Sequence, residues 1–219
     1  RDIKSVRLLE QLAISLRDAS YFDEALQTLD RALKIDPNDP ELLREVGFVY
    51  RKKGQPYYSQ AESYMERALQ LNDHDSELHG MLGGLFRRRG EYERALTQYK
   101  RAHEIQPDDL YPLVTVAAMC GALGKIGEAT EWYQKLQATC EKFIGQQRAD
   151  HWTYLCLGEA TVALGDQEAA SAAYRKAIEA KPPVEHIRSE VEQLEFLVEE
   201  SFATESARSV LPILREYLV

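Results

Sequence analysis

Apolar residues recur along this chain at helical spacing. Leu9, Leu12 and Leu16 fall at i, i+3 and i+7, and Leu26, Leu29 and Leu33 repeat the pattern. The helical stretches are punctuated in a regular way. An alanine stands at Ala25, Ala61, Ala95, Ala129 and Ala170, with spacings of 36, 34, 34 and 41 residues. Seven residues after each comes Ala32, Ala68, Ala102, Leu136 or Ala177, and twelve after comes Pro37, Asp73, Pro107, Glu141 or Pro182. A turn residue precedes each alanine: Ser20, Gly54, Gly90, Gly124 or Gly165. Further upstream stand Ala13, Gly47, Gly83, Ala117 and Gly158. Columns that agree at a common period mark an internal repeat.

Each column has a physical cause. The small residues at Gly47, Gly83 and Gly158 let one helix backbone lie close against a neighbour. The turn glycines suit the left-handed conformation that follows a helix end. Pro37, Pro107 and Pro182 disfavour helix in the residue before them. The repeating element is therefore helix, short turn, helix, and the pattern predicts an all-α fold. Two departures are expected to show locally. Two extra residues around Gln55 to Tyr58 should make that turn bulge, and residues 139–150 should prolong the second helix of the fourth repeat.

These columns resemble the tetratricopeptide repeat family over residues 6 to 184. The family implies a right-handed α-solenoid in which stacked helix pairs bury a continuous core. On that register the units span 6–39, 40–75, 76–109, 110–143 and 151–184, within a repeat domain of residues 1–184. Where the family usually carries tryptophan at the fourth place, this chain has Leu9, Leu43, His79, Leu113 and Tyr154. Residues 185–219 read as a two-helix acidic C-terminal cap, about 184–200 and 204–218, with Pro212 kinking or restarting the second helix. The stretch from Asp150 to Val198 also resembles the repeat-built regulatory region of stress-activated kinase kinase kinases and their bacterial relatives.

Composition narrows the function classes. The 219 residues carry a net charge of −9, which disfavours nucleic acid as partner. RNA binding by a helical repeat is the class this charge argues against. The longest uncharged run, Leu110 to Gly124, is too short and too broken by proline and glycine to span a bilayer, so no membrane partner is expected. Three cysteines, Cys120, Cys140 and Cys156, without C-x-x-C pairing fit a reducing, cytoplasmic setting as small core residues. The opening residue is Arg1, which reads as a piece cut from a larger protein. None of the five histidines stands at metal-ligand spacing, and His79 falls on a core-facing place. The glycine-rich run from Gly80 to Gly90 lacks the lysine and hydroxyl that end a phosphate loop. No enzyme, metal or cofactor is expected, and the sequence points to a non-catalytic interaction scaffold.

In a solenoid of this kind the first helix of each pair lines the concave face, with its second, fifth, ninth and twelfth residues turned into the groove. Arginine fills the twelfth place three times, at Arg17, Arg51 and Arg87, with Lys52 adjacent and Arg44 and Phe48 nearby. Further along, the groove turns apolar and aromatic through Tyr111, Val114, Trp152 and Leu155, while Gly80 and Gly84 leave it open to a ligand backbone. A protein or peptide partner with an acidic and an apolar part would suit it. The arginines also stand near helix C-termini, where positive charge offsets the macrodipole whatever is bound. Trp152 and Tyr111 could instead pack near Phe143. The family's carboxylate clamp for heat-shock chaperones needs Lys and Asn at the fifth and ninth places. Here those places hold Glu10/Ile14, Arg44/Phe48, Gly80/Gly84, Val114/Ala118 and Leu155/Glu159, so that clamp is not expected.

The negative charge is uneven. Residues 185–219 contain eight Glu and three Arg, so more than half of the net −9 lies in the C-terminal cap. An acidic tail of this kind could compete for the basic groove, or join copies into a homo-oligomer. Two alternatives therefore stand beside the scaffold: a regulatory segment of a larger signalling enzyme, and a self-assembly module that uses its tail.

Overall fold

The computed structural model describes residues 3–218, and among them twelve α-helices form without a strand. They divide into two compact bodies, Arg1–Glu91 and Tyr92–Val219. The first holds α1 (Ile3–Asp18), α2 (Phe22–Ile35), α3 (Pro40–Lys53), α4 (Tyr58–Leu71) and α5 (Ser76–Arg88). The second holds α6 (Tyr92–Ile105), α7 (Leu110–Ala122), α8 (Ile126–Gly145), α9 (His151–Ala163), α10 (Gln167–Glu179), α11 (Val184–Glu199) and α12 (Thr204–Tyr217). The division falls between α5 and α6, inside the stretch 76–109 that the repeat register treats as one unit.

In the N-terminal body, α1 pairs with α2 and α3 with α4, while α3 also packs on α1 and α2. Val6, Ala13, Leu29, Leu42, Val46 and Val49 form its core. Gly47 earns its place here, because a Cβ would sit 2.7 Å from Met65 Cγ and 3.2 Å from the Ala61 carbonyl oxygen. Leu12 departs from the apolar pattern and is 49% exposed, since α2 and α3 cover only the Val6–Ala13 side of α1. The two extra residues of the second repeat are taken up in a short 3-10 turn, Gln55–Tyr57.

Aspartates start the helices after these turns. Asp39 accepts from the backbone N–H of Glu41 and Leu42, Asp75 from Leu78, Asp109 from Tyr111, and Asp166 from Ala169. Each satisfies a donor that a helix start otherwise leaves orphaned. Asp150 and Thr153 form a reciprocal capping box at α9. Hydrogen bonds from the Thr153 backbone and side chain overcome burial and hold the Asp150 carboxyl below its ordinary range.

In the C-terminal body, α7 pairs with α8 and α9 with α10, and α8 also packs on α9. The helix α8 is prolonged to Gly145 and stops at a turn in which Gln147 takes a φ of 56°. The helix α12 stacks on α10 and runs unbroken through Pro212, which is exposed on its outer side. The helix α11 does not extend the stack. It packs on α12 and lies against α7 and α9, the two inner helices of its body.

Candidate partner-binding faces

The inner face of the N-terminal body is built around Phe48 of α3. Arg17 reaches it from the last turn of α1, its guanidinium carbon 4.4 Å from the ring centroid. Arg51 stands one turn along α3 at 4.8 Å, and the Lys52 ammonium lies at 5.6 Å. Three cations thus share one aromatic ring, an attraction each worth about 0.5–1 kcal/mol at exposed sites. The neighbouring carboxylates moderate them. Arg17 is ion-paired with Glu45 and with Asp18 at 2.8 Å. Arg44 is paired with Glu77, and with Glu41 and Asp75 at 3.4 and 3.6 Å.

These pairings show in proton affinities. Burial works against the Arg44 charge, yet Asp75, Glu77 and Glu41 hold its pKa above the ordinary value. Burial pushes the Glu45 carboxyl up, against the pull of Arg17 and Arg44. Arg17, Arg51 and Lys52 gather on the Phe48 ring, and Arg17 and Arg44 are also tied into ion pairs on the same face. Arg87 is half-buried in the last turn of α5, and of the two glycines Gly80 is buried and Gly84 half-buried.

The inner face of the C-terminal body differs from its expected form. Leu155 has no exposed surface and Val114 only 6%. Neither is open to a ligand in this state, because α7 and α9 are packed on several sides, α11 among them. Trp152 is half-buried, and Tyr111 is exposed with its ring edge-on to Tyr99 at 6.1 Å. Gly121, a groove position on α7, receives the Phe202 ring, and an added Cβ would lie 3.0 Å from it. Phe202 stacks on Tyr133 of α8 with centroids 5.8 Å apart. Two strained residues flank Phe202, Ser201 at φ 57° and Ala203 at φ 52°.

Beneath α11 lies a buried polar network. Glu159 of α9, 2% exposed, accepts from the Tyr133 hydroxyl at 2.9 Å and from the Gln193 amide of α11 at 2.8 Å. Glu190 of α11, 5% exposed, accepts from the Tyr174 hydroxyl of α10 at 2.7 Å. Burial, reinforced by Glu159, drives the Glu190 carboxyl well above its ordinary range, more than the Tyr174 hydrogen bond lowers it. At the far end of α11, Tyr92 of α6 donates to Glu200 at 2.7 Å and meets Phe196 edge-on at 5.9 Å. His151 and His186 bring α9 and α11 together at their N-terminal ends, with ring nitrogens 2.8 Å apart.

The partners of α11 were partly visible beforehand. Tyr133 and Tyr174 each stand four residues after a column alanine, a place that Tyr99 fills in the preceding repeat without a contact shown to α11. Glu159 occupies a ninth, groove-facing place. Only the seating of α11 on these residues has no repeat signal.

Other chemistry-bearing groups are structural. Cys120, Cys140 and Cys156 are buried free thiols, and burial raises the Cys140 pKa to about 12. Thiols so held are poor nucleophiles. His79 is buried with Nε2 3.3 Å from Asp73. Among the described residues no group of three or more His, Cys, Asp or Glu could hold a metal ion, and no helix is long and apolar enough to cross a membrane.

Comparison with known proteins agrees with this geometry. The family model described as Tetratricopeptide Repeats-Sensor matches residues 21–120, and the model described as Tetratricopeptide repeat matches residues 153–183. No curated protein matches the chain. Among solved structures it is similar to the MamA protein, at 21% identity and a TM-score of 0.59 over 81% of this chain and 92% of that one. It is also similar to YrrB, titled a TPR protein with an unusual peptide-binding site, at 22% identity and a TM-score of 0.56 over 80% and 85%. PilF of Pseudomonas aeruginosa aligns over 98% of this chain and 89% of its own, at 15% identity and a TM-score of 0.66. With these matches beside the helix-pair columns, the capped turns and the all-helical solenoid class, the chain belongs to the tetratricopeptide repeat family.

Proposed function

We propose that this chain is a protein-interaction scaffold that holds an acidic, partly apolar segment of a partner on the inner face of its N-terminal body. One observation carries the reading: Arg17, Arg51 and Lys52 converge on the half-buried Phe48 ring. Such a cluster offers an apolar platform ringed by hydrogen-bond donors. Carboxylates accept from arginine in charge-assisted pairs, and aliphatic groups pack on the aromatic face. YrrB is described as having an unusual peptide-binding site, which supports a peptide or protein as the class of ligand. On this reading the chain catalyses nothing and works in the cytoplasm.

Peptide display selected on the intact chain tests the proposal. Selected peptides should be rich in Asp and Glu next to aliphatic residues. Phe48→Ala combined with Arg51→Glu should lower their affinity at least tenfold, with the helical circular dichroism unchanged. Selection that proceeds equally well on that variant would sink the reading.

A second reading is a regulatory segment of a larger signalling enzyme. It is favoured by the word sensor in the description of the matched family. Activity of the whole protein with and without these residues would separate it from a pure scaffold.

A further inference from the structure

The C-terminal body holds its own inner face closed, and the way it does so is unusual in one respect. A helix that only completes a core gains most from burying aliphatic side chains, and α11 does bury Ile187, Val191, Leu194 and Leu197. Yet between Ile187 and Val191 it also buries Glu190. The groups that face this carboxyl are Tyr174 of α10 and, from α9, Glu159 and Cys156. A hydroxyl, a second carboxylate and a thiol bring it no positive charge, so the ionised form is penalised twice, by lost hydration and by like charge. A glutamine there would keep an acceptor for the Tyr174 hydroxyl without the charge and would seat α11 more firmly. The strain points the same way. The loop that delivers α11 carries Lys181 at φ 51° followed by Pro182 and Pro183, and the loop that leaves it holds Ser201 and Ala203 in the left-handed region.

We propose that α11 is a resident ligand of this inner face, and that a partner's amphipathic helix takes its seat on α7 and α9. That helix carries aliphatic residues in the i, i+4, i+7, i+10 spacing of α11 and a neutral hydrogen-bond acceptor at the Glu190 place.

The logic is one of competition. A ligand tethered to its own site enjoys an effective concentration in the millimolar range, so a free partner wins only if the tethered helix is handicapped. Glu190 is that handicap. A partner with an uncharged acceptor keeps the Tyr174 hydrogen bond and avoids the charge. Residues 180–183, where Lys181 at φ 51° precedes Pro182 and Pro183, are the hinge on which α11 leaves its seat. The handicap also has a sign with pH. The seated Glu190 holds its proton more tightly than the released one. Its penalty is therefore absent below the ordinary glutamate range and grows as pH rises above about 4.3.

A labelled synthetic peptide of residues 184–200 bearing Glu190→Gln is the probe, titrated by fluorescence anisotropy into the full chain. Three chains are compared: wild type, Glu190→Gln, whose own helix is held more tightly, and Leu194→Asp, whose own helix is released. Affinity should rise at least tenfold from the Glu190→Gln chain to the Leu194→Asp chain, with wild type between them. Amide exchange of α11 should be slower in the Glu190→Gln chain than in wild type. The peptide with its native Glu190 should bind at least tenfold more weakly than the probe at pH 7.5, and the gap should close toward pH 5. If Leu194→Asp fails to fold, the wild-type and Glu190→Gln chains decide the matter alone. Equal peptide affinity and equal exchange in those two would overturn the proposal. The N-terminal face is untouched in every variant, so this outcome is independent of the peptide-display result.

Discussion

The two inner faces start from the same repeat columns and end in opposite chemistry. On the N-terminal face the groove positions of α1 and α3 carry Arg17, Arg44, Phe48 and Arg51, long side chains that reach across and pair at the surface. On the C-terminal face the corresponding positions of α7 and α9 carry Val114, Gly121 and Leu155, short or apolar side chains that invite a helix to lie on them, and Glu159, whose carboxylate accepts from Gln193 of that helix. The backbone repeat fixes where a groove runs, while a handful of groove side chains decides whether it meets solvent or another helix. A repeat scaffold can therefore present one face and close another without changing its architecture.

The sharpest way to break this comparison is at the shared glycine column. Gly158→Ala would place a Cβ 2.5 Å from the buried Tyr174 ring, which is rigid and anchored to Glu190. Overpacking of this kind costs about 1–3 kcal/mol. We expect the upper end, seen as a lowered thermal midpoint of the C-terminal body. Gly47→Ala in the N-terminal body meets the Met65 side chain, which can swing aside, so its cost should fall at the lower end of the same range. Equal losses for the two variants would contradict the difference in rigidity drawn here.

Next come the tyrosine donors beneath α11. Tyr174→Phe keeps the ring but leaves the Glu190 carboxyl without its donor, a loss of about 1–3 kcal/mol for a buried acceptor. Tyr133→Phe should cost less, because Glu159 retains the Gln193 amide. Denaturant titration of both variants measures the order. A smaller loss for Tyr174→Phe would reverse our reading of the network.

A third prediction concerns acid. His103 is buried edge-on to Trp132 at 5.1 Å, and the Lys135 ammonium donates to its Nε2 at 2.8 Å. Burial first, and Lys135 second, lower its pKa. The unfolded chain therefore binds the proton more readily, and stability contributed by neutral His103 is complete above about pH 6.5 and declines below it. His103→Gln should flatten that decline in the C-terminal body. An unchanged pH profile would assign the acid sensitivity elsewhere. The smallest effect belongs to the rim. Arg215 and Glu195 pair at 2.6 Å while half exposed, and Arg215→Ala should move stability by no more than about 0.5 kcal/mol.

How much of this was legible beforehand follows from what periodicity encodes. Columns of small residues, turn glycines and prolines locate the helix pairs because each imposes a local backbone demand. Gly54, Gly90, Gly124 and Gly165 all take positive φ, and Ser20 does so where the first repeat lacks glycine. The cations around Phe48 were legible as residues, but not the pairing of Arg17 with Glu45, since Glu45 lies outside the groove places. The position of α11 was not legible at all. An amphipathic helix with Ile187, Val191, Leu194 and Leu197 on one side suits the end of a stack as well as its inside, and the pattern does not say which surface receives it. Pro212 does not restart the second helix for a simpler reason: one missing backbone donor on an exposed side of α12 leaves a carbonyl that water can satisfy.

The sequence holds two tryptophans, Trp132 and Trp152, and both belong to the body that begins at Tyr92. Indole emission is therefore a private signal of that half of the chain, whereas far-ultraviolet dichroism sums helices from both. Trp132 sits against an imidazole, a quencher once protonated, so its brightness doubles as a gauge of the His103 proton. Melting curves recorded by the two methods should separate wherever the halves lose order at different temperatures, without any label or added probe.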